Sequence, residues 1–151
     1  RIKVFYASAY GFTGGLARAV AEGARAAGAQ TALCDLTGTR TEDLVGEVEA
    51  ADGVAVGSCT INGDAVKPVW DLLSSLATLK LRGKWSVVFG SYGWSGEAVP
   101  MIEERLQRLK LKPAAPGLRV KFLPGDEDLG AARRLGEDLA DKVKAARSAG
   151  A

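Results

Sequence analysis

Five apolar runs alternating with five helical stretches predict a three-layer α/β sandwich: a parallel sheet with helices packed on both faces. Two further observations support this. The chain has 151 residues, 47% hydrophobic and 25% charged, the size and composition of one globular domain. The first, third and fourth runs are nearly free of charge, as strands covered on both faces must be, whereas Leu118-Arg119-Val120-Lys121-Phe122 alternates like an edge strand. The order of the five-stranded parallel sheet is therefore 2-1-3-4-5, and ligands are expected at the carboxyl ends of the strands, beside the switch point between the first and third.

Taken in order, Ile2 to Ala7 is a core strand that begins one residue into the sequence, as expected of a piece of a longer protein. Leu16-Ala17-Arg18-Ala19-Val20 opens a helix over 13–27, and residues 30–35 form the second strand. A helix over 41–50 leads to the third strand, 53–57, whose Gly-Val-Ala-Val-Gly composition suits burial on both sides. A helix over 65–78, a strand over 84–90, a helix over 97–110, the edge strand 118–123 and a final helix over 127–147 complete the chain. One domain, 1–151, accounts for the sequence, with no internal repeat or low-complexity linker.

Composition excludes several chemistries. Histidine is absent, which removes the usual general base of Ser-His and Cys-His catalysis and the commonest metal ligand. Cys34 and Cys59 form no C-x-x-C pair and are too few for a disulfide framework or a zinc site. The longest run of large apolar residues is far short of the ~20 a membrane helix needs. Residues 80–121 carry nine basic and three acidic side chains. No aromatic residues interleave with them as base stacking would require, so a solvated or partner-facing basic face is expected rather than nucleic-acid binding.

Three loops fall at the expected ligand edge. Ser8-Ala9-Tyr10-Gly11-Phe12-Thr13-Gly14-Gly15 joins the first strand to a helix N-terminus, where backbone N–H groups, the helix dipole and the hydroxyls of Ser8 and Thr13 converge on an anion. The spacing is neither G-x-x-x-x-G-K-[ST] nor G-x-G-x-x-G, so one phosphate is expected rather than a nucleoside triphosphate or dinucleotide. The same turn also fits a plain strand-to-helix connection with Thr13 as its N-cap. Gly57-Ser58-Cys59-Thr60-Ile61-Asn62-Gly63-Asp64 and Gly90-Ser91-Tyr92-Gly93-Trp94-Ser95-Gly96-Glu97 follow the third and fourth strands. They offer hydroxyls, an amide and two glycine-flanked aromatic rings, the combination a flat conjugated ligand needs. Gly93-Trp94-Ser95-Gly96-Glu97 is no nucleophile elbow, since it lacks the closing glycine and the chain has no histidine.

Together these loops resemble the flavodoxin-like domain of flavodiiron proteins, most sharply in Tyr6-Ala7-Ser8-Ala9-Tyr10-Gly11, Gly57-Ser58-Cys59-Thr60-Ile61-Asn62-Gly63 and Phe89-Gly90-Ser91-Tyr92-Gly93-Trp94-Ser95-Gly96-Glu97-Ala98-Val99. The Tyr-Ala-Ser-Ala-Tyr-Gly opening looks most like the photosynthetic class of algae and cyanobacteria. The resemblance implies a flavodoxin-like fold and FMN, with Ser8, Tyr10, Gly11, Phe12 and Thr13 around its phosphate. It places Thr60, Ile61, Asn62 and Gly63 along the isoalloxazine, with Ser91, Tyr92, Gly93, Trp94 and Gly96 closing the other side. It further implies electron relay from a reductase to a diiron centre on another domain, a flavin reductase domain in the same protein and a dimeric full-length assembly. By the same resemblance the chain is not catalytically complete alone, and its location is the chloroplast stroma, with the cytoplasm as alternative. Two positions depart from the family: Phe12 stands where Asn or Ser is usual, and Cys59 where Pro is common. They keep open a second reading, an assembly module that binds flavin weakly or not at all; a free-standing flavodoxin ranks third, because such carriers are usually acidic to suit basic partners.

Overall fold

The computed structural model describes residues 1–8 and 11–149. Its sheet is built on parallel strands β1 (Ile2–Ala7), β2 (Thr31–Asp35), β3 (Gly53–Ile61) and β5 (Trp85–Tyr92), joined by short strands β4 (Asp64–Ala65), β6 (Lys112–Pro113) and β7 (Leu118–Lys121). The order β2-β1-β3-β5-β6, with β7 also on β5, is the expected 2-1-3-4-5 order, the fifth position being shared by two short strands. Helices α1 (Phe12–Ala26) and α6 (Asp126–Ala149) cover one face; α2 (Glu42–Ala50), α3 (Lys67–Ser74) and α5 (Ala98–Arg108) cover the other, and a four-residue α4 (Thr78–Leu81) precedes β5.

The period-2 alternation of each strand feeds two separate cores. Ile2, Val4, Ala55, Val87 and Phe89 point to the layer that holds Leu16, Val20, Leu135 and Leu139. Phe5, Ala7, Val54, Val56 and Val88 point to the layer that holds Val48, Leu72, Leu73, Ile102 and Leu106. On the first face α1 and α6 cross closely: a Cβ on Gly23 would overlap the carbonyl oxygen of Arg133, and one on Gly136 would overlap that of Val20. The glycines there serve contact between helix backbones.

Three expectations need correction. The third strand does not stop at 57 but runs to Ile61 and turns back through Asn62 (φ 52) and Gly63 (φ 72) into β4. Asn-Gly is the dipeptide that a two-residue type I′ hairpin demands, since both of its residues take positive φ. The helix expected over 65–78 accordingly starts later, at Lys67 with Pro68 in its first turn, and splits into α3 and α4. The edge strand expected over 118–123 stops at Lys121 because Phe122 turns to φ 57; Pro113 ends β6 and Pro116 lies in the gap before β7, and neither has an N–H to donate.

The basic segment forms no single face. Arg82, Lys84, Lys110 and Lys112 lie at the adjoining starts of β5 and β6, at the amino edge of the sheet, tied by Gly83 N–H to Lys110 C=O (2.9 Å) and Lys112 N–H to Lys84 C=O (2.8 Å). Arg119 and Lys121 lie on β7, beside the opposite, carboxyl half of β5.

Candidate functional site

At the carboxyl ends of β1, β3 and β5 a cavity of about 340 Å³ opens between Phe12, Cys59, Thr60, Ile61, Ser91, Tyr92, Gly93 and Phe122. That is the size range of small-molecule clefts, and its walls combine rings and aliphatic carbon with a few hydroxyls.

The first loop is where the sequence places an anion. Gly11 (φ 83) occupies the N-cap of α1, which begins at Phe12, so Thr13 is not the cap residue and the cap position itself offers no side chain. A left-handed residue there suits glycine, and a Cβ on Gly11 would meet nothing within 4 Å. The first turn also carries no acidic residue, which leaves the positive end of the helix dipole uncompensated. The Ser8 hydroxyl is buried and has no hydrogen-bond partner among the described residues, a state that costs free energy unless a ligand satisfies it. Thr13 is fully buried, and its Oγ1 lies 2.6 Å from Oγ of Ser91, itself 4% exposed. Tyr10, expected beside the phosphate, lies outside the described residues.

The second loop is stiffened from within. Ser58 Oγ donates to the carbonyl of Cys59 (2.8 Å) and accepts from the N–H of Val66 (3.2 Å), so the hairpin is anchored to the strand below it. Asp64 Oδ1 accepts from its neighbour Ala65 N–H and from Trp70 Nε1, each at 2.8 Å. Thr60 Oγ1 accepts from the N–H of Ala98 at 3.2 Å, which ties the loop to the start of α5. Ile61 is 49% exposed at the rim, and Asn62 and Gly63 form the exposed tip of the hairpin. Cys59, the departure at a proline position, lines the cavity itself.

In the third loop Ser91, Tyr92 and Gly93 form wall, while Trp94 stands 97% exposed outside the lining residues. A Cβ on Gly96 would sit 3.0 Å from the Tyr92 ring and 3.2 Å from Arg119 Cδ. Glycine there lets the Tyr92 ring approach the backbone. Ser95 Oγ donates to Glu97 Oε2 at 2.7 Å.

Two wall residues lie outside the expected site set, Cys59 in the second loop and Phe122 just past the edge strand. Phe122 N–H donates to the carbonyl of Tyr92 (2.7 Å), which brings the Phe122 ring against Gly93 and into the cavity lining. Its signal was an aromatic residue at the carboxyl end of the edge strand, the same sheet edge as the three loops.

The flavodoxin family model matches residues 4–136. The chain belongs to the flavodoxin family. A flavodoxin from the domain Archaea is 32% identical, with a TM-score of 0.82 over 95% of this chain and 98% of that one. The flavodiiron core of Flv1 from Synechocystis sp. PCC6803 is 32% identical, with a TM-score of 0.86 over 96% of this chain and 36% of that one. The type A flavoprotein fprA of Rhodobacter capsulatus is 47% identical over 141 residues, 93% of this chain and 32% of that protein. The chain thus spans about a third of the length of that relative, and it corresponds to the flavodoxin-like domain of the flavodiiron, or type A flavoprotein, family.

FMN is the cofactor this flavodoxin domain is built for, and the residues present fit it. The glycine-capped first turn of α1, which carries no acidic residue, and the Ser8 hydroxyl, without a partner among the described residues, suit one phosphate, and the ring-lined cavity beside them suits a flat heterocycle. No helix among the described residues is long and apolar enough to cross a membrane.

Proposed function

We propose that this chain is the FMN-binding electron-relay domain of a flavodiiron-type oxygen reductase, taking reducing equivalents from a reductase and passing them to a diiron centre on another domain. The observation that carries the proposal is the cavity at the carboxyl edge, where an anion site and a ring-lined slot adjoin. FMN supplies the one- and two-electron chemistry when bound; the protein sets its potential and its distance from a partner. Phe12, Tyr92 and Phe122 line the slot, Ser8 and the start of α1 hold the phosphate, and Thr60 and Asn62 offer polar atoms along one edge.

The division of labour follows from composition. With no histidine in the chain, and no group of three or more His, Cys, Asp or Glu side chains placed to hold a metal among the described residues, an iron centre with histidine ligands has to be supplied by another domain. The resemblance to flavodiiron proteins supplies the rest of the proposal: diiron and flavin reductase domains as partners in a dimeric protein. The photosynthetic class and a chloroplast location are the narrower form of the proposal and rest on the Tyr-Ala-Ser-Ala-Tyr-Gly opening. The 47% identity to the Rhodobacter protein, against 32% to the cyanobacterial core, favours the broader family.

The test is oxygen consumption by the FMN-loaded, chemically reduced chain. Slow uptake with peroxide as product is expected. Sustained, peroxide-free uptake by this chain alone contradicts the relay role. Failure to load FMN favours the assembly-module reading instead.

A further inference from the structure

We propose that Ser91 is a positioning residue for the phosphate end of the cofactor, acting through the hydroxyl of Thr13. The proposal rests on the FMN reading above and refines it.

Thr13 and Ser91 are 78 residues apart in sequence, yet their hydroxyl oxygens lie 2.6 Å from each other in the interior. Ser91 is the fixed member. It sits in β5 between Cys59 of β3 and Val120 of β7, so the sheet holds it from both sides. Thr13 is the second residue of α1, two positions after Gly11 at the N-cap. The bond therefore locates the first turn of α1, where the anion is expected, against the strand that forms the floor of the ring slot.

The bond is shielded, since Thr13 is 0% exposed and Ser91 4%, so bulk water does not compete for either hydroxyl. The Ser8 hydroxyl, buried and without a partner among the described residues, follows β1 at the same sheet edge. A phosphate draws on the backbone N–H groups of the first turn that this bond locates, whereas a flavin lacking the phosphate does not.

The experiment compares FMN and riboflavin affinity, by flavin fluorescence titration, for the parent chain, Ser91→Ala, Thr13→Val, the double variant and Thr13→Ser. Thermal melts without flavin accompany each. Ser91→Ala and Thr13→Val should each lower the ratio of FMN to riboflavin affinity about tenfold, the scale of one hydrogen bond to a charged group; the ratio is read because Ser91 also lines the ring cavity. The double variant should be no worse than either single one, and Thr13→Ser, which keeps the hydroxyl, should retain the preference of the parent for FMN. Equal losses for both flavins, no loss for either, or a Thr13→Ser variant as weak as Thr13→Val overturns the proposal. If Ser91→Ala does not fold, the contrast between Thr13→Val and Thr13→Ser decides by the same criteria. A parent chain that binds neither flavin overturns the FMN reading and this proposal together, whereas a parent that prefers FMN with variants that show no split overturns this proposal alone.

Discussion

Phe12 stands at the first position of α1 and also lines the ring cavity, so it belongs to both halves of the site. Its side chain has no hydrogen-bonding group to give a phosphate. Phe12→Asn should raise the ratio of FMN to riboflavin affinity about tenfold, since a hydrogen bond to a charged group is worth about 1.5–3 kcal/mol; calorimetry with both flavins measures it. The ratio is the useful quantity, because loss of the ring from the cavity wall affects both ligands alike. Trp94, 97% exposed, contributes little to the fold, and Trp94→Ala should leave thermal stability within about 0.5 kcal/mol of the parent. As an expected neighbour of the isoalloxazine it should cost roughly 1–3 kcal/mol of flavin affinity, the scale of aromatic stacking; an unchanged dissociation constant assigns the ring to a partner surface. The two cysteines offer an internal control. Cys59 lines the cavity and should be protected from alkylation by FMN, whereas Cys34 on β2 should not respond to FMN. Burial, then the carboxylates of Glu47 and Asp35, push the Cys34 thiol above its ordinary range despite nearby Lys3. Its alkylation should therefore stay slow through neutral pH. Because the folded thiol is the weaker acid, its contribution to stability is complete below the unfolded thiol pKa and is lost as pH rises toward the folded one.

Among the elements, the strands and the α1–α6 layer were the most legible, since their apolar periodicity is long and uninterrupted. The β3–β4 hairpin was less so. Asn62-Gly63 is a strong hairpin dipeptide, but its returning strand is only Asp64–Ala65, too short to show a period, and the helical pattern that follows masks it. The two-piece edge strand was hidden for a related reason: Lys112–Pro113 takes its strand character from pairing with Trp85 and Ser86, a contact no local pattern reports. Phe122 escaped notice because its place in the cavity depends on a hydrogen bond to Tyr92, 30 residues away in a neighbouring strand, and on a left-handed turn unusual for a bulky residue. The crossing of α1 over α6 makes an element-scale prediction. Gly136→Ala places a methyl group against the Val20 carbonyl and forces the helices apart, so it should destabilise the fold by about 1–3 kcal/mol, as overpacking does. Gly46, whose Cβ would meet nothing within 4 Å inside exposed α2, should instead gain about 0.5–1 kcal/mol on substitution by alanine. Chemical denaturation of the two variants checks both signs.

For the molecule as a whole, the doubly wound topology puts three loops at one sheet edge, and the chemistry of those loops decides what the fold carries. Ser8 and the start of α1 read as an anion site from sequence because strand, glycine turn and helix are adjacent in the chain. The link between Thr13 and Ser91 is not readable in the sequence, because it joins the first turn of α1 to β5, 78 residues away, and only the closed fold brings them together. The central claim is that one cavity at this edge holds FMN by its phosphate and its ring together. Titration of the flavin-free chain with FMN and with riboflavin, followed by quenching of flavin fluorescence, tests it most directly. Saturable one-to-one binding of FMN, at least about tenfold tighter than riboflavin, is predicted from a charged hydrogen-bonded phosphate. Equal affinity for the two flavins, or no binding of either, would contradict it.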